Sequence, residues 1–315
     1  MAPPRIDAVI EKRLQYAIDQ LTATGQMPNL PRWLTLNSQS FLEYLHALLD
    51  AITQSTSLIE LIDNLSAGNV REALQFLNSF VGSAHVNSQR IIDSYKAGKN
   101  MIRQDDFLRA IILGEGNFFD PAASPVCNVF DISSNDGREH FLMPMLLSQV
   151  ERNAGDEGFT EAGTTFRFGQ SLGFAESQIG FALDRAVDKK LVDRSPYFAR
   201  QVRPVAHRLT TAGGYTLHRL LQNNVYIESV CLDTPILEPS VRAAIGTGRA
   251  FPERLARAEG FIAYLDSQWV LVKDNGGVFD WGVISQRLQD EVRKLRRQSS
   301  FQAQQARESR IRPIK

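Results

Sequence analysis

The 315-residue sequence predicts a mainly α-helical protein in three parts: a helical bundle over 1–117, a mixed α+β segment over 118–238, and C-terminal helices with a basic tail over 239–315. Three observations predict this class. Apolar residues recur at helical spacing through most of the chain. Runs suited to a β-hairpin occur near residues 190–211, between helical patterns. No stretch of eighteen apolar residues exists, so the 43% apolar content belongs to packed cores and not to a membrane span.

Taken in order, Ile6, Val9, Ile10, Leu14, Ala17, Ile18 and Leu21 form an apolar stripe that predicts a helix over 5–23. Ser38 and Ser40 cap a helix through Leu49, and Ser57 opens another through Leu65. Two more follow over 86–95 and 105–113, with Gly114 and Gly116 as the stop. Residues 118–137 break the pattern as an irregular linker. Its apolar run over 126–131 reads as one strand, with Cys127 and the nearby acids at the surface. Helices are then predicted over 140–150, 160–172 and 177–191, strands over 190–194 and 202–211, and a helix from Thr210 through Leu221. Residues 225–239 read as extended. Helices over 250–269 and 281–295 complete the regular structure. From Gln298 on, the composition predicts a disordered basic tail, either a solvated end or a nonspecific nucleic-acid arm.

One helix carries an unusual start. Asn69 is a good N-cap, Glu72 follows three residues later, and Val70, Leu74 and Leu77, with Phe76 and Phe80, keep helical spacing. Yet Arg71 stands in the first turn, where the dipole favours an acid. A guanidinium beside unpaired helix-start amides suits a bound phosphate. The segment Gly68-Asn69-Val70-Arg71-Glu72-Ala73-Leu74 resembles the sensor-2 motif of AAA+ ATPases, and the helical surroundings followed by a hairpin-bearing domain resemble bacterial AAA+ and STAND ATPases with winged-helix domains. The resemblance implies a helical lid over 1–117 with Asn69 and Arg71 at the nucleotide.

The chain departs from that family in having no P-loop. Its only Gly-Lys, Gly98-Lys99, is followed by Asn100 and has Asp93 where the first glycine belongs. Asp156-Glu157 and Asp290-Glu291 both lie in polar surroundings and not after an apolar strand. Without these parts magnesium and the attacking water have no ligands. The expectation is a non-catalytic lid and downstream portion of such an ATPase, with no cofactor of its own. ATP and magnesium enter only once a separate ATPase domain or subunit is supplied.

The order helix, helix, helix, hairpin, helix over 118–238 resembles a winged-helix domain, which implies DNA as a partner. The candidate contacts are Gln178, Arg185, Lys189 and Lys190 on and after the third helix, and Arg194, Arg200, Arg203 and Arg208 on the wing. Asp184 and Asp188 on the same helix repel phosphates, so backbone contact is the firmer expectation. The alternative is a winged helix that acts as a regulator or protein-docking adaptor, independent of nucleotide.

Charge and cysteine usage bound the rest. Net charge is zero, but residues 185–208 hold seven Lys/Arg against two acids, and 293–315 hold eight against one. Such asymmetry points to anionic partners. The cysteines, Cys127 and Cys231, and the absence of a signal-peptide pattern give the expectation of a cytoplasmic protein. Gly169-Gln170-Ser171-Leu172-Gly173 matches the Gly-x-Ser-x-Gly elbow, with His207 and His218 downstream. No parallel-sheet pattern precedes it, so the glycines read as a turn.

Overall fold

The computed structural model describes residues 5–30, 34, 36–99, 102–195, 205–272 and 277–311, the side chains of 301–311 excepted. The chain divides into two compact units, Met1–Val126 and Cys127–Lys315. Among the described residues it is mainly helical, with one small three-stranded sheet.

The first unit contains α1 (Ile6–Thr24), α2 (Ser38–Gln54), α3 (Thr56–Ser66), α4 (Val70–Val81), α5 (Ser88–Lys96) and α6 (Gln104–Leu113). Short polar side chains set the starts: Asn37, Ser55, Asn69 and Asn87 each accept a backbone N–H from the first turn that follows. Gly25 ends α1 at φ +65°, the left-handed region that glycine enters without steric cost. Of the apolar stripe of α1, Ile6, Ile10, Leu14, Ile18 and Leu21 are buried, while Val9 and Ala17 are half-buried. At the core, Phe80 stacks on Phe107 at 4.8 Å between ring centroids, with Tyr44 stacked behind it at 6.4 Å.

The second unit opens on a buried, irregular segment. No strand forms over 126–131, contrary to the sequence expectation, because side chains satisfy its backbone. The Tyr226 hydroxyl donates to the Cys127 carbonyl and accepts from the Val129 amide, and Asn128 Oδ1 accepts from the Phe130 amide. Asn128 Nδ2 also donates to Asp233 and Thr234, roughly a hundred residues away in sequence. Cys127 is therefore buried and not a surface residue, and burial pushes its thiol up to about 11. Phe130 packs edge-on to Phe261 and Trp281.

A 3-10 turn over Gly137–Phe141 leads into α7 (Leu142–Arg152). Then come β1 (Thr160–Glu161), α8 (Ala162–Ser171), α9 (Glu176–Asp188), β2 (Val192–Arg194), β3 (Ala206–Leu209) and α10 (Thr211–His218). The strands pair antiparallel in the order β1-β3-β2, with Thr160 opposite His207 and Asp193 opposite Arg208. α8 and α9 approach closely at Gly169, where a Cβ would stand 2.6 Å from Ile179 Cδ1.

The remainder is α11 (Asn224–Val230), α12 (Pro239–Ala244), α13 (Phe251–Trp269) and α14 (Trp281–Ile311). Two expectations are corrected here. Residues 224–230 are helical and not extended, capped by Asn223 and buried on every side, so no amphipathic period marks them. The tail does not lose order at Gln298, since α14 continues to Ile311. α13 and α14 run antiparallel: Asp266 accepts from Trp281 Nε1 at one end, and Arg296 pairs with Glu259 further along.

Candidate functional site

At the start of α4, Asn69 Oδ1 accepts from the amides of Arg71 (3.0 Å) and Glu72 (3.4 Å). Two of the helix-start amides expected to face a phosphate are thus engaged by the cap. The Arg71 side chain is exposed and has no ion pair among the described residues.

The face of α9 expected to read DNA is built differently. Gln178 closes the start of its own helix: its Oε1 accepts from the Ala175 amide at 2.8 Å, while Nε2 donates to Ser134 Oγ and Glu139 Oε2. Glu139 is a buried carboxylate that also accepts from the amides and hydroxyls of Ser133 and Ser134. Burial alone would raise its pKa, but these hydrogen bonds outweigh it and hold the carboxyl below its ordinary value. Gln178 is therefore a structural cap and not a base reader.

Arg185 points inward as well. Its Nη1 lies 2.9 Å from Asp131 Oδ2, Nη2 donates to the Asn128 carbonyl at 2.9 Å, and the guanidinium lies over the Phe181 ring at 5.3 Å. The Nη1 contact is close enough for an ion pair but off the line of a hydrogen bond. Burial raises the Asp131 carboxyl, with Arg185 opposing the rise. The predicted DNA role of Arg185 is replaced by one that ties α9 to the segment opening the unit.

On the hairpin, Arg194 pairs with Asp184 at 2.7 Å, and Arg208 pairs with Asp193 at 2.9 Å while lying over the Phe159 ring. All four partners are exposed, so these pairs are weak. Lys189 and Lys190 follow the C-terminal end of α9, with Lys190 at φ +57°. Arg200 and Arg203 lie outside the described residues.

What α9 offers to solvent is Glu176, Ser177, Phe181, Asp184 and Asp188, with Phe181 39% exposed. A Cβ at Gly180, beside Phe181, would meet nothing within 4 Å. The outer face is thus acidic around one aromatic ring with open space next to it.

The Gly-x-Ser-x-Gly segment forms no nucleophile site. Ser171 ends α8 and its hydroxyl donates to the Phe168 carbonyl. His207 is buried with no hydrogen-bond partner for either ring nitrogen among the described residues, and His218 binds Glu151 at 2.8 Å. Burial lowers the His207 pKa. A cleft of about 280 Å³ between α7 and α10, lined in part by Ser148, Glu151, Arg152, His218 and Asp280, had no sequence signal. Asp280 there caps α14 through the amides of Gly282 and Val283.

Among the described residues no group of three or more His, Cys, Asp or Glu could hold a metal, and no helix is long and apolar enough to cross a membrane. Comparison with family models, curated proteins and solved structures finds no match to this chain.

Proposed function

We propose that the second unit is a winged-helix adaptor whose α9 docks a protein partner through a basic segment. The order α7, β1, α8, α9, β2, β3 and the sheet order β1-β3-β2 support the winged-helix reading. The single observation that carries the docking reading is the outer face of α9, where Phe181 stands among Glu176, Asp184 and Asp188. Such a helix entering a DNA groove would bring the carboxylates of Glu176 and Asp188, with Asp184 beside its Arg194 partner, against phosphates. Against a Lys/Arg-rich peptide the same face supplies an aromatic anchor with complementary charge around it.

A photoreactive benzoylphenylalanine at position 181 of the full chain, activated in cells that make the protein, tests this. The expected product is an adduct to one polypeptide through a basic segment, weakened by high salt and absent from a control at the exposed Glu157 position. Adducts to nucleic acid, or none above the control, overturn the reading and favour DNA contact through the hairpin.

A second reading concerns the first unit and rests on the exposed Arg71 at the start of α4, which has no ion pair among the described residues. As an AAA+ lid this unit would present that guanidinium to a nucleotide held by a separate ATPase domain. Arg71→Ala then weakens nucleotide binding by the completed assembly; a change in stability alone removes the reading.

A further inference from the structure

A different element carries a separate site. Among the described side chains of α14 the last buried one is Val292, and the helix runs on to Ile311. Residues 293–297 read Arg-Lys-Leu-Arg-Arg, four cations in five positions, and 293–315 hold eight Lys/Arg against one acid. The register set by Arg296 against Glu259 brings the start of α13 opposite about residue 304. α14 therefore outruns its neighbour by roughly 10 Å at 1.5 Å per residue.

We infer that residues 293–300 of α14 form a phosphate-backbone binding helix for double-stranded nucleic acid. Four features support this occupant. Lys294 and Arg297 are exposed and have no ion pair among the described residues. Among the described residues Arg293 and Arg296 are held by Asp290 and Glu259, in surface pairs with every partner about half exposed. Such pairs contribute little, so a phosphate can displace the carboxylate. A basic helix matches the width of a duplex major groove and can track its phosphates without reading bases.

The fourth feature separates a duplex from an anionic membrane, the other common partner of a basic helix. A membrane-surface helix needs an apolar face opposite its cations. Over 293–300 the sole apolar side chain is Leu295, which is half-buried. The helix has charge to give to phosphates but no apolar face over this span to insert among acyl chains. The inference shares no residue with the α9 docking face and stands or falls independently of it.

Fluorescence anisotropy of a random 20-base-pair duplex with the full chain, titrated at several salt concentrations, tests it. Wild type binds at low salt, with log affinity falling linearly in log salt at about −0.9 per phosphate neutralised. The quadruple variant R293Q/K294Q/R296Q/R297Q loses about three units of that slope and binds at least roughly 100-fold more weakly at low salt. K294Q/R297Q, which disturbs no ion pair, loses about half as much slope. Circular dichroism verifies that each variant keeps its helix content, and R293K/R296K/R297K retains binding. R194A/R208A on the hairpin stays within about twofold of wild type. The inference is overturned if wild type does not bind duplex at low salt, if the glutamine variants bind as wild type does, if the hairpin variant carries the loss, or if phosphatidylserine vesicles bind through these residues where duplex does not.

Discussion

Replacing Arg185 separates a structural role from a DNA-reading one. In Arg185→Met the carboxylate of Asp131 loses its cation at 2.9 Å, the Asn128 carbonyl loses a charged donor, and the Phe181 ring loses the guanidinium above it. Breaking a fully buried pair costs about 3–5 kcal/mol. Here the two side chains are 19% and 26% exposed, so water recovers part of that cost. Adding the lost hydrogen bond and allowing for the retained methylene packing gives about 2–3 kcal/mol. With a urea dependence of about 2 kcal/mol per molar, the midpoint should fall by about 1–1.5 M. The assay is urea unfolding followed by tryptophan fluorescence, since Trp269 and Trp281 both belong to this unit. The deficit also has a pH signature. Burial already raises the Asp131 carboxyl, and removing Arg185 raises it further, so the penalty for its charged form is relieved as pH falls toward the ordinary 3.8. The deficit at pH 7 should therefore shrink near pH 4.5. Duplex binding should be unchanged. A loss of stability below about 0.5 kcal/mol together with tenfold weaker duplex binding would refute the inward role.

Further consequences follow from the same unit. Arg257 donates to the Glu228 carboxylate and carbonyl and to the carbonyls of Gly246 and Gly248, while Arg254 stays 3.7 Å from the other carboxylate oxygen, so Arg257→Met should destabilise by about 2–4 kcal/mol in a urea melt. Adding Glu228→Gln should recover more than half of that loss; no recovery would mean the buried charge is not the cause. His140, whose ring nitrogens meet the Phe130 carbonyl and the Tyr264 hydroxyl, and His207 both have pKa values lowered by burial from 6.5. The unfolded chain thus binds protons first, and stability present above pH 6.5 should fall as pH drops below it, by up to about 1.4 kcal/mol per pH unit for each imidazole. His207→Gln should reduce that slope in pH-dependent unfolding; an unaltered slope removes His207 from the account. Gly213→Ala would set a methyl 2.1 Å from the Leu191 carbonyl oxygen and should cost about 1–3 kcal/mol, whereas Gly214→Ala, with its nearest neighbour at 3.9 Å, should be neutral or stabilising in the same thermal melt.

Local chemistry was legible wherever the relevant partners are neighbours along the chain. The stripe of Ile6, Ile10, Leu14, Ile18 and Leu21 declares α1 because a helix repeats its face every three or four residues, and Asn69 declares the start of α4 because a cap reaches only two or three residues. The hairpin near 190–211 was readable for the same reason. Residues 224–230 were not, because a helix buried all round has no polar face to set a period. Nor was the irregular course of 126–131, whose backbone is satisfied by Tyr226 from far along the sequence.

The charge count over 185–208 and 293–315 could say that cations cluster, but not which of them reach solvent. Arg185 and Gln178 occupy the spacing of a reading face, yet Asp131, Ser134 and Glu139 claim them from positions 39 or more residues away. The sequence by itself determined most of the helical elements, the Asn69 cap and the basic character of the two spans, whereas α2 and α3 are capped by Asn37 and Ser55 and not by the serines the sequence suggested. Only the tertiary structure decided that α9 turns its arginine inward and its acids outward, while the cations of α14 stay on the surface. The physical reason is that a side chain's charge is fixed by its type, but its availability depends on which distant groups the fold brings within 3 Å.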